Sequence, residues 1–105
     1  VTGETLGKGS AELGRILTRS LFSTLDQSDQ LPRLIIFINE GVFLSCEGSP
    51  VLEYLISLEK LGVEILSSQV CLDYYQIKHK LCVGTVSNMY TILAKLATVE
   101  KILTI

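Results

Sequence analysis

Cys71 stands where a short apolar run meets a small polar turn: Val63-Glu64-Ile65-Leu66, then Ser67-Ser68-Gln69-Val70-Cys71, then Leu72-Asp73-Tyr74-Tyr75. That order predicts a strand, a tight turn and a thiol where a new helix begins. In an open α/β sheet, ligands and reactive groups gather outside the carboxyl ends of the strands. A thiol at a helix N-terminus also meets the positive end of the peptide dipoles, which favours the nucleophilic thiolate. Ser68, Gln69 and the backbone amides of the turn are candidate hydrogen-bond donors to a thiolate or persulfide. Asp73 opposes a thiolate if its carboxylate faces the sulfur, and capping the short helix is its plainer role.

The other chemistry-bearing residues are few. Cys46 and Cys82 are the remaining cysteines, and three thiols at wide spacing with no C-x-x-C pair give neither a disulfide framework nor a zinc site. Free cysteine is among the most buried residue types, so a packed thiol is the ordinary reading, and Cys82 is expected to be packed rather than reactive. His79 is the single histidine. It lies about 12 Å beyond Cys71 along a helix rising 1.5 Å per residue, and reads as a surface residue between Lys78 and Lys80 rather than a general base. Tyr74 and Tyr75 are expected to line the site or pack beneath it. Asn88 either reaches the same edge or caps a helix. Neither a metal nor a cofactor is implied.

Gly3-Glu4-Thr5-Leu6-Gly7-Lys8-Gly9-Ser10 invites comparison with a phosphate-binding loop and departs from it. That motif needs four residues between its first glycine and an uninterrupted Gly-Lys-Ser/Thr. Here Gly3 and Gly7 enclose three, and Gly9 separates Lys8 from Ser10.

The elements that must position these residues follow from periodicity. Val1-Thr2 reads as the tail of a strand that lacks its beginning. Ser10 caps a helix of about fifteen residues, with Glu12 in its first turn and Leu13, Ile16, Leu17, Leu21 and Leu25 expected on one buried face. Asp26 to Pro32 is a polar turn. Arg33-Leu34-Ile35-Ile36-Phe37-Ile38 is apolar without alternation, the pattern of a strand covered on both faces, and Asn39-Glu40-Gly41 ends it. Val42 to Gly48 is a loop holding Cys46. Ser49 and Pro50 open a second helix that Gly62 closes. Leu72 to Lys80 is read as a short helix, Leu81-Cys82-Val83 as a brief strand, Ser87 as the cap of a last helix, and Ile102 to Ile105 as a closing strand. Strands alternating with helices predict a parallel sheet with right-handed crossovers. The expected fold is α/β, a three-layer flavodoxin-like sandwich with a mostly parallel sheet and a truncated first strand. Lys8, Asn39 and Cys71 would then converge on one edge.

Composition narrows the function. The chain has 105 residues, 48% hydrophobic and 19% charged, enough for one core in a single domain over residues 1–105. A net charge of −2, four tyrosines, three phenylalanines and no tryptophan argue against a nucleic-acid surface. No apolar run approaches the roughly 18 residues of a membrane span, so no membrane partner is expected. Unpaired thiols point to a cytoplasmic protein.

Several motifs together carry a family resemblance. Gly7-Lys8-Gly9 with Glu12-Leu13-Gly14, Glu47-Gly48-Ser49-Pro50-Val51-Leu52, Gly62-Val63-Glu64-Ile65-Leu66-Ser67, Cys71-Leu72-Asp73-Tyr74-Tyr75 and Val83-Gly84-Thr85-Val86-Ser87-Asn88-Met89-Tyr90 closely resemble the YedF group of the DsrE/DsrF-like family. The likeness covers essentially the whole chain, with the motifs in order. It implies a flavodoxin-like fold and a sulfurtransferase-like role in sulfur relay or selenium metabolism, with a persulfide carried on the position matching Cys71. It also implies a homo-oligomer and a TusA-like sulfur-carrier domain or protein as partner. Many members of the group have Cys-Gly-Thr-Cys in the turn where this chain has Ser68-Gln69-Val70-Cys71. With only the second cysteine present, a disulfide across the turn is impossible and a single-thiol carrier is what remains. The competing expectation is a non-catalytic, oligomeric interaction module in which Cys71 is structural.

Overall fold

The two apolar runs around Ile35 and Ile65 become adjacent strands. In the computed structural model, which describes residues 1–105, β1 spans Leu34–Phe37, β2 spans Glu64–Ser68 and β3 spans Thr85–Ser87. All three are parallel in the order β1-β2-β3, with Leu34 opposite Glu64 and Leu66 opposite Thr85. Helices α1 (Ala11–Gln27), α2 (Leu52–Lys60), α3 (Gln69–Tyr74) and α4 (Met89–Thr98) alternate with them, joined by 3-10 segments at Asn39–Ser45 and Lys78–Lys80. The fold is α/β, a flavodoxin-like layered arrangement around an open, all-parallel sheet.

β2 is central, so both its faces are covered and Ile65, Leu66, Ser67 and Ser68 are all buried. One core cluster joins Phe22 of α1, Ile35 and Phe37 of β1, Leu55 and Leu58 of α2, Ile65 of β2 and Leu72 of α3. Two buried hydroxyls satisfy each other inside it. Ser45 Oγ donates to the Val42 carbonyl at 2.9 Å, which leaves Ser67 Oγ to donate to Ser45 Oγ at 2.8 Å. Gly84, at φ +76°, turns the chain into β3 where a Cβ would strike the Ile65 carbonyl. Its own N–H donates to Glu59 Oε2 at 2.9 Å.

The packed face of α1 differs from the expected one. Gly14, Thr18 and Phe22 are buried, whereas Leu13, Ile16 and Leu17 are exposed, Ile16 at 58%. Close approach of the preceding turn is the reason. Leu6 N–H donates to the Gly14 carbonyl at 3.1 Å, a Cβ on Gly14 would collide with Thr5, and Thr18 Oγ1 turns inward to the same carbonyl at 2.9 Å. Only small residues fit there, and Phe22 supplies bulk farther along, its ring 6.1 Å from that of Phe37.

Other boundaries also move. Val1 brackets β1 with a parallel pair of bonds, its N–H to the Ile36 carbonyl at 2.8 Å and its carbonyl accepting from Ile38 at 3.0 Å, without extending into a strand. Ile102 to Ile105 forms no strand; Ile105 instead accepts from the Thr2 N–H and hydroxyl. The helix expected over Leu72 to Lys80 breaks at Tyr75, because Gln76 adopts φ +57°. Leu81 makes a single antiparallel bridge with Cys46, and the strand follows later as β3. Ser87 is therefore the end of β3, and Asn88 caps α4, its Oδ1 accepting from Thr91 N–H at 2.8 Å. Val51, not Ser49, stands at the N-cap of α2, and Ser49 Oγ accepts from Val51 N–H.

Candidate functional site

Parallel pairing of β1 with β2 brings their carboxyl ends side by side, and the chain leaves each end differently. After β1, Asn39 takes a left-handed φ of +51° and swings directly into the 3-10 segment. Asparagine tolerates that conformation better than most residues. After β2, Ser68 caps α3, its Oγ accepting from Cys71 N–H at 3.4 Å. These two departures bring residues 39 and 71 together: Asn39 N–H donates to Cys71 Sγ at 3.1 Å. The donor that reaches the sulfur thus comes from the neighbouring strand's loop. The Ser68 hydroxyl, buried beneath the turn, serves the helix rather than the sulfur.

Tyr75 closes the arrangement. It lies one turn after Cys71, its N–H bonded to the Cys71 carbonyl at 3.1 Å, and its phenol donates to Asn39 Oδ1 at 3.2 Å. The ring rests 4.7 Å from Phe43 and meets Tyr74 edge-on at 5.2 Å. Partial burial, then the charge of Glu40, push the phenol up from its ordinary value, so it stays a protonated donor at neutral pH. The carboxyl of Glu4, in the turn before α1, is itself pushed up by partial desolvation and by the charge of Glu40, with Arg15 acting the other way.

Asn39, Val70, Cys71, Tyr74 and Tyr75 line an open depression of about 370 Å³. Cys71 is half-buried at its floor, while Val70 and Tyr74 stand exposed as an apolar wall. Space, an apolar wall and one backbone donor suit a nucleophilic sulfur that carries a small group.

The remaining candidate residues lie elsewhere. Lys8 is exposed in the turn before α1, and Gln69 and Asp73 are exposed on α3; none of them lines the depression. Asp73 contributes its carbonyl, not its carboxylate, to the end of α3. Asn88 is occupied as a cap, and His79 is exposed in the second 3-10 turn. Val70 is the lining residue that no motif marks, although its spacing with Tyr74 on one helix places the two on one face. The pairing of Tyr75 with Asn39 had no local signal.

The three cysteines are free and unlike one another. Cys46 is 2% exposed, its single thiol proton facing the Val42 carbonyl at 3.3 Å, with the Ile77 carbonyl farther off at 3.9 Å. Cys82, expected to be packed, is exposed, while the next residue, Val83, is buried. No group of histidine, cysteine and carboxylate side chains is placed to hold a metal ion, and no helix is long and apolar enough to cross a membrane. No protein-family model, curated protein or solved structure matches this chain.

Proposed function

We propose that the protein is a sulfur- or selenium-relay carrier that holds a persulfide transiently on Cys71. The observation that carries this reading is the Asn39 N–H aimed at Cys71 Sγ on the floor of an open, apolar-walled depression. The motif resemblance to the YedF group supports the same residue. In the transfer step, the Cys71 thiolate attacks the outer sulfur of a donor persulfide, the donor's S–S bond breaks, and the donor leaves as a thiolate. The outer sulfur keeps its proton and its oxidation state, so no external oxidant or reductant enters. An acceptor nucleophile then takes that sulfur and returns Cys71 to the thiolate. One thiol is sufficient, in keeping with the absence of a second cysteine in the turn.

The test is mass-resolved labelling of each cysteine after incubation with a persulfide donor. Cys71→Ser should abolish the added sulfur, whereas Cys46→Ser and Cys82→Ser should retain it. Labelling that survives in Cys71→Ser ends the reading.

A second reading, an oligomeric interaction module with a structural Cys71, is favoured by the exposed apolar residues Leu13, Ile16 and Leu17 on α1 and Met89 and Leu93 on α4. It requires a stable assembly in dilute solution and a Cys71 that alkylates no faster than an ordinary thiol.

A further inference from the structure

We propose that Tyr75 is a positioning residue for Cys71, acting through Asn39; the inference rests on reading Cys71 as the reactive sulfur. Cys71 lies in α3 and Tyr75 is the C-cap residue one turn later, and both reach across to the same residue of the β1 loop. Asn39 offers its backbone N–H to Sγ at 3.1 Å and its side-chain Oδ1 to the Tyr75 phenol at 3.2 Å. Its φ of +51° is a conformation that asparagine tolerates but that competes with ordinary right-handed and extended ones, so a contact that fixes the side chain selects it. The phenol does this from a fixed base, because the Tyr75 ring is itself set against Phe43 in the same 3-10 segment. One side chain therefore ties both ends of that contact: the start of the segment through the hydroxyl and its middle through the ring. Releasing the hydroxyl frees Asn39 to leave the left-handed region and turn its N–H away from the sulfur, while the ring packing stays. Tyr74, Glu40, Glu4 and Cys71 are the titratable groups around the phenol, and none of them donates to Asn39 Oδ1.

Tyr75→Phe removes only the hydroxyl. The measurement is the rate of Cys71 alkylation by a neutral reagent as a function of pH, with exposed Cys82 in the same molecule as the reference. Tyr75→Phe should slow Cys71 at neutral pH by about three- to ten-fold, the scale of one neutral hydrogen bond, and move its pH profile upward. Cys82 should not change. Asn39→Gly is the second variant: it keeps the backbone N–H but cannot bind the phenol, and untethered glycine spreads over many conformations besides the left-handed one. It should slow Cys71 likewise, and adding Tyr75→Phe to it should slow Cys71 no further. An unchanged Cys71 profile in Tyr75→Phe overturns the proposal, as does a proportional change at Cys82, which would indicate general loosening. Alkylation reads the sulfur directly. Absent persulfide labelling with the Tyr75 effect intact would therefore remove the relay reading alone.

Discussion

The Cys46 thiol has the Val42 carbonyl as its nearest acceptor inside the core, and burial, its largest influence, pushes the group up from an ordinary value of 9.0 against the opposing influence of the Ser45 hydroxyl. The sign follows from proton counting. A thiol whose folded value is raised binds more protons in the native state, so unfolding free energy falls as pH rises. The contribution is whole below 9.0 and is lost as pH climbs above it through the folded value. Denaturant unfolding of wild type and Cys46→Ala should therefore converge with rising alkalinity, the wild type losing stability that the variant never had. Parallel curves would mean that Cys46 ionises without cost. Cys71, by contrast, faces an amide donor and open space. Its place after an apolar strand was legible in the chain; the identity of its donor was not, since Asn39 lies on another loop.

Short elements were set by competition between neighbouring residues of similar chemistry. Ser87 and Asn88 are both good N-cap residues, and local propensity does not choose between them. Pairing does: Ser68 lies opposite Ser87 in the sheet, which keeps Ser87 extended and hands the cap to Asn88. Asn88→Ala should lower stability by about 1 kcal/mol in denaturant unfolding, the usual loss for such a cap, and leave the Cys71 alkylation rate untouched. A changed rate at Cys71 would place Asn88 within reach of the site. The cap at Ser10 and the break at Gly62 were readable because each acts within a few positions, whereas Ser68, expected to serve the sulfur, caps α3 instead.

At the scale of the whole molecule, α1 illustrates how packing overrides periodicity. Its leucine and isoleucine stripe has the right spacing for a core face, yet the helix turns Gly14, Thr18 and Phe22 inward. Phe22→Ala should cost about 3–5 kcal/mol, as for a buried aromatic truncated in a packed core. Ile16→Glu should leave the dilute monomer within about 0.5 kcal/mol of wild type, as a surface change does. Equal losses at the two positions would mean that the helix is turned the other way. Sedimentation of the same Ile16→Glu protein bears on the interaction reading, which needs an assembly that this charge disrupts.

Local order along the chain determined the α/β class, the parallel strands around Ile35 and Ile65, most helix positions and the place of Cys71 just after an apolar strand, because strand and helix patterns and caps act over a few residues. Tertiary structure alone decided which face of α1 is buried, which residue donates to the sulfur, and that Cys82 is exposed. Each of these depends on the approach of segments distant in sequence. Asn39 and Cys71 meet only because parallel strands end in register, and no spacing within either segment encodes that meeting.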